Sequence, residues 1–293
     1  MTKHNNMSRS WRRVAVNAQA WTPTAKEFAG AIARVQRDER ERILRFRFIQ
    51  DAKSSLVGRL LLRYLVQEEL GVPNAEIELV REESGRPVLR CPEHVSQLRF
   101  NVSHAGSYVV MAADSEREIG VDVMDHRRPL HDDVERFFEL MTTTFTPKEW
   151  DNIRRSDTHG TALLEFYRYW TLKESYIKAI GLGLRMDLQR LQFASDPRLS
   201  HAQDDLMAVV DGATCEVDGE RLSDWTFEQC HLDPRHCVSV CVHRSPGSYR
   251  PQPFVIMDTA AVIDALAPLR EDELDDPAVM GIFAQMKDKP QRQ

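Results

Sequence analysis

The residues with the clearest capacity for chemistry sit in one stretch, Phe166-Tyr-Arg-Tyr-Trp-Thr-Leu-Lys-Glu-Ser-Tyr-Ile-Lys-Ala-Ile-Gly-Leu-Gly-Leu184. Glu174 and Lys178 are four apart, so on a helix they stand one turn above the other. On an open surface such a pair is worth only ~0.3–0.5 kcal/mol, and spacing alone does not distinguish it from a reactive pair. Lys173 projects into an apolar arc, where an ammonium needs a partner or a water-filled cleft. About fifty residues upstream, Glu118-Ile-Gly-Val-Asp-Val-Met-Asp125 alternates as a strand. Gly120, Asp122 and Met124 share one face and Val121, Val123 and Asp125 the other. An acid so placed is either a strand-end cap or a rigidly held metal carboxylate.

The elements that must position these groups are legible from periodicity. At about 100° per residue, Phe166, Tyr169, Trp170, Ile177 and Ile180 form the stripe of a core-facing helix, which Gly181 stops. Upstream, Trp11 to Val16 reads as a strand, and Thr24 with Glu27 forms a capping box opening a helix. Six arginines between Arg34 and Arg47, interleaved with Asp38, Glu39 and Glu41, predict a solvated helical face, from which one arginine could anchor a ligand. Asp51 to Leu70 is a long helix with Leu56, Leu60 and Tyr64 on one face, ended by Gly71 and Pro73.

Two short strands, Ile77 to Val80 and Pro87 to Leu89, flank a turn at Gly85 that Arg81 and Arg86 bracket. Leu98 to His104 and Ser107 to Ala113 form a hairpin around Ala105-Gly106, with Asn101, Ser103 and His104 near its turn. Thr146 and Pro147 start a short helix, and strands follow near 191–193, 207–210, 225–227 and 237–242. The alternation Val238, Val240, Val242 favours a strand over a zinc site among the nearby Cys and His residues.

A long glycine-closed helix, a strand and a hairpin thus occur twice, which predicts two related α+β lobes. The expected parts are a disordered 1–10, lobes over 11–117 and 118–245, and a linker and loose tail over 246–293, in which Phe254 to Leu266 could form a last short strand and helix before the tail from Arg270. At 293 residues and 42% apolar content the chain can bury two cores, and no apolar run is long enough to span a membrane. Five cysteines without scaffold spacing, and a first segment lacking a signal region, fit a cytoplasmic protein. Residues 1–118 hold 19 Lys and Arg against 15 Asp and Glu, whereas 119–293 hold 20 against 30. The first half is therefore the better host for a phosphate-rich ligand.

The pattern W-x-x-K-E-S-x-x-K-A-x-G-x-G-L over Trp170 to Leu184, with Gly120-Val-Asp-Val123 upstream, resembles the two signatures of the broad-range phosphopantetheinyl transferases. Glu41-Arg-Ile43, Gly85-Arg-Pro-Val-Leu89 and Asn101-Val-Ser-His104 extend the resemblance from about Trp11 to His243. It implies transfer of the 4'-phosphopantetheine arm of coenzyme A to a serine of an apo acyl or peptidyl carrier domain, of the fatty acid synthase and aminoadipate-semialdehyde dehydrogenase type. The fold the resemblance implies is an α+β pseudo-dimer of the two related lobes with the ligand cleft between them. It also implies Mg²⁺ on Asp122 and Glu174, with Glu174 as base and Lys178, with Lys173, neutralising the pyrophosphate. His104 matches a phosphate-contacting histidine, and Arg42, Arg81, Arg86, Asn101 and Ser103 match positions holding the nucleotide end. A monomer without nucleic-acid or membrane partners is expected.

Met124 departs from the bacterial pattern, which has a third acid there. A thioether is a poor Mg²⁺ ligand and Asp125 faces the other way, so a water is expected to complete the coordination. Two other readings compete. A non-catalytic coenzyme A or carrier-binding module is disfavoured by the presence of both Asp122 and Glu174, and an RNA-binding arginine face by the net charge of −6.

Overall fold

The computed structural model describes residues 13–82, 85–90, 98–127, 133–183, 186–200, 206–243 and 250–290. The first lobe runs β1 (Arg13–Asn17), α1 (Ala25–Ile32), α2 (Arg37–Ile43), α3 (Ile49–Leu70), β2 (Leu79–Arg81), β3 (Pro87–Leu89), β4 (Arg99–Ala105) and β5 (Tyr108–Asp114). The second runs β6 (Ile119–Asp125), α4 (Val134–Leu140), α5 (Pro147–Arg154), α6 (His159–Ile180), β7 (Leu191–Ala194), α7 (Pro197–Ser200), β8 (Val210–Val217), β9 (Glu220–Arg221), β10 (Trp225–Asp233) and β11 (His236–His243). Then come β12 (Val255–Met257), α8 (Thr259–Asp264) and α9 (Pro277–Gln285).

The lobes share a plan. The first sheet is ordered β12-β1-β5-β4 and the second β6-β11-β10-β8-β7. In each, the opening strand pairs antiparallel with the second strand of a hairpin, β1 with β5 and β6 with β11. Both long helices have 22 residues and end on a left-handed glycine, Gly71 at φ 64° and Gly181 at φ 70°. Strand alternation explains the packing. Val109, Met111 and Ala113 of β5 face the core beneath α3, while Tyr108, Val110 and Ala112 face the second sheet. Val121, Val123, Val238 and Val240 meet them there, so a third core joins the lobes.

Several expectations change. The part after Arg270 is no loose tail: Val279 is buried in the first core and Phe283 stacks on Phe28 at 4.5 Å, while β12, parallel to β1, and α8 are the short strand and helix expected over 254–266. The arginine-rich helix is not solvated throughout, since Glu39 is buried beside Arg59 and Arg63. Helix α3 is buried on almost every side, because α8 and the sheet both cover it. The strand expected over 207–210 begins only at Val210, since Met207 has a left-handed φ of 72°. The segment 1–10 expected to be disordered, Trp11 and Leu184 lie outside the described residues.

Candidate active site

The site forms where α6 crosses β6. Gly120 makes the crossing close: a Cβ there would overlap the Ser175 carbonyl oxygen and lie 2.5 Å from the Ala179 nitrogen. Only glycine admits this approach, and it brings the penultimate turn of α6 onto Asp122, two residues along the same strand face. Lys178 Nζ donates to Asp122 Oδ1 at 2.6 Å and to Ser103 Oγ at 2.8 Å. Ser103 Oγ itself donates to Asp122 Oδ1 at 2.8 Å. Asn101 Oδ1 accepts the Val121 N–H at 3.2 Å, tying β4 to β6. An acid and a strand from the second lobe are thus bound to a hydroxyl and an amide from the first.

The electrostatics mark the place for a cation. Asp122 is 4% exposed, and its Oδ2 is buried with no hydrogen-bond partner among the described residues. Glu174, half-buried one turn before Lys178, has its carboxyl pKa raised, first by burial and then by the Asp122 charge, against a smaller opposing pull from Lys178. Two carboxylates pressed together with an orphaned oxygen suit a hard divalent cation that takes few protein oxygens and completes its shell with water and phosphate. Met124 packs against the core under α6, and Asp125 binds Arg127, so neither adds a ligand.

A cleft of about 310 Å³ opens over these groups, lined by Arg59, Arg81, Arg86, Asn101, His104, Glu174 and Lys178. His104 sits exposed at its rim, its imidazole pKa lowered by the desolvating walls and then by Lys178. Arg86 reaches Gly181, whose built Cβ would lie 3.6 Å from its guanidinium, so the first-lobe loop meets the end of α6. The cationic walls and the acidic floor therefore come from different lobes.

Of the residues singled out from sequence, Asp122, Glu174, Lys178, Asn101, Ser103, His104, Arg81 and Arg86 converge here. Arg42 does not line the cleft. It is exposed on α2, close enough to Arg59 to oppose that group's charge. Lys173 is corrected outright. It is 1% exposed, pairs with Glu149 at 2.7 Å and donates to the carbonyls of Thr144, Leu188 and Leu191. An ammonium so satisfied is a core strut with no donor left for a ligand. Arg59 was missed, and a cation among the apolar residues of the Asp51 to Leu70 run was the available signal.

Two family models match consecutive parts of the chain: "4'-phosphopantetheinyl transferase, N-terminal" over residues 19–116 and "4'-phosphopantetheinyl transferase superfamily" over 118–241. The chain belongs to the 4'-phosphopantetheinyl transferase superfamily. The L-aminoadipate-semialdehyde dehydrogenase-phosphopantetheinyl transferase of Mus musculus is 40% identical over 238 residues, covering 80% of this chain and 76% of the relative. That of Xenopus laevis is 34% identical over 274 residues, covering 90% and 89%. A phosphopantetheinyl transferase of Thraustochytrium sp. is 39% identical over 245 residues, covering 81% of each. The boundary between the two family models falls between β5 and β6, where the chain passes from one sheet to the other. The activity of the superfamily is transfer of 4'-phosphopantetheine to carrier proteins.

Proposed function

We propose that the cleft between the lobes transfers 4'-phosphopantetheine from coenzyme A to a carrier-domain serine by the residues described above. The serine Oγ attacks the β-phosphorus and its proton passes to the Glu174 carboxylate. The bond from that phosphorus to the bridging oxygen breaks, and adenosine 3',5'-bisphosphate leaves with the electron pair. The raised pKa of Glu174 suits it to accept a proton. Lys178, now shared between Asp122 and Ser103, is placed to meet charge developing on the former bridging oxygen of the leaving 5'-phosphate. Arg81, Arg86 and His104 hold the phosphates of the nucleotide end. Mg²⁺, when bound by Asp122 and Glu174, supplies further positive charge there.

The observation that carries this reading is the buried Asp122 Oδ2, unpartnered among the described residues, beside a carboxylate of raised pKa, under a cationic cleft. The acceptor is a carrier domain of the aminoadipate-semialdehyde dehydrogenase type named in the relatives, or of the fatty acid synthase type. One chain contributes both walls of the cleft, which supports a monomer. The four described cysteines are all free and buried, which supports a reducing cytoplasm. No described helix is long and apolar enough to cross a membrane. The test incubates the full chain with coenzyme A, Mg²⁺ and an apo carrier domain. The carrier should gain the mass of one phosphopantetheine arm, with loss of the gain when Mg²⁺ is chelated. A carrier that binds but never gains mass would establish a non-catalytic module instead.

A further inference from the structure

Strand β4 carries both Ser103 and His104, so what holds its end sets the position of both groups. The turn after it docks into the second lobe. The buried ring of His236, which opens β11, accepts the Ser107 backbone N–H on Nε2 at 3.1 Å. Its Nδ1 lies 2.8 Å from Asp233 Oδ1. A backbone N–H can only donate, so Nε2 is the bare nitrogen and the Nδ1–H donates to Asp233. The neighbouring Gly106 has φ +55°, and a Cβ on it would overlap His236 Nε2 and sit 2.7 Å from Asp125 Cβ. Tyr108 meets the same ring edge-on at 4.9 Å. The contacts of Gly106, Ser107 and Tyr108 each run from the β4–β5 hairpin of the first lobe to the second lobe.

His104 therefore lies between two interlobe pins: Ser103 on Asp122 and Lys178 before it, and Ser107 on His236 after it. We propose that His236, remote from the reacting atoms, is a positioning residue for the transfer, holding the β4–β5 turn so that His104 faces the donor phosphates across the cleft. This rests on the reading of the cleft as the coenzyme A site. Released from His236, β4 keeps its Ser103 pin but lets the His104 backbone swing, so the loss falls on donor binding more than on turnover.

The experiment measures donor KM, kcat and calorimetric coenzyme A affinity for the full chain, His236→Ala, His104→Ala and the double variant. His236→Ala should raise donor KM and Kd about tenfold and change kcat less than threefold. In the His104→Ala background the same change should add less than twofold, because it acts through that histidine. Gly106→Ala pushes the turn off the ring from the opposite side and should reproduce the effect, which provides the test if His236→Ala does not fold. Unchanged donor KM in folded His236→Ala, or in Gly106→Ala, overturns the proposal. So do effects of His236→Ala and His104→Ala that simply multiply. If the unaltered chain neither binds coenzyme A nor modifies a carrier, it is the functional reading that fails.

Discussion

Helices α3 and α6 occupy the same place in their lobes, and they differ in one layer of polar residues. Each carries a fully or almost fully buried cation as its fifteenth residue, Arg63 in α3 and Lys173 in α6. In each case the partner is a glutamate on the short helix before it: Glu39 on α2 at 3.6 Å from Arg63, and Glu149 on α5 at 2.7 Å from Lys173. Neighbouring carbonyls complete both, Asn74 O for Arg63 and those of Thr144, Leu188 and Leu191 for Lys173. The next two turns diverge, with Glu174 and Lys178 in α6 where α3 has Tyr64 and Glu68. The facing strands diverge with them. The first lobe presents Val14 and Val16 to its core, the second Gly120 and Asp122 to α6. The shared cation braces the fold, and the layer of Asp122, Glu174 and Lys178 proposed to react is present on one lobe only.

That contrast is broken most directly at the carboxylates. Glu174→Gln and Asp122→Asn should each lower kcat by about 10²–10⁴-fold with unchanged circular dichroism; retained carrier mass gain at saturating Mg²⁺ in both would dismiss the assignment. The two lysines should fail in opposite ways. Lys173→Met leaves Glu149 buried without its partner and should cost about 3–5 kcal/mol in denaturant unfolding, while the fraction that remains folded keeps its turnover. Lys178→Met should lower kcat with little loss of melting temperature. Gly120→Ala, which forces α6 away from β6, should cost about 1–3 kcal/mol and lower activity too. Stability lost without activity would show that the close approach serves packing alone.

Smaller effects are expected farther out. Arg86→Ala should raise KM for full coenzyme A while leaving kcat near its starting value, and a donor lacking the 3'-phosphate shows which phosphate it meets. The smallest concerns Glu228 of β10, buried and 3.8 Å from Arg13 of β1 in the other lobe. Burial pushes its carboxyl pKa up to about 7, against an ordinary 4.5. The folded chain thus holds that proton more tightly than the unfolded chain. The associated stability is complete below pH 4.5 and is lost as pH rises through 7. The melting temperature of Glu228→Gln relative to the parent should therefore rise between pH 5 and pH 8; a difference independent of pH would show that Glu228 stays charged.

Local chemistry was enough to read much of this protein from its sequence. Alternation of Gly120 to Asp125, the Thr24 and Thr146 caps, the glycine stops at Gly71 and Gly181 and the turn at Gly106 depend on nearest neighbours, and each appears where the pattern puts it. The spacing of Glu174 and Lys178 and the side of the strand bearing Asp122 were equally legible, because helical and strand periods fix them. What tertiary structure decided was which charges meet which. Periodicity puts Lys173 inside the apolar arc and Lys178 a turn beyond Glu174, but only the fold puts Glu149 under the first and Asp122 under the second. Arg42 and Arg59 could not be ranked until α3 was seen to pass beneath the cleft. The segment after Arg270 is polar enough to read as a tail, but two apolar residues, Val279 and Phe283, suffice once α1 offers an open face, just as β1 offers β12 an unpaired edge. Long-range pairing of this kind leaves no local periodic trace, since the partner lies some 240 residues away in the chain.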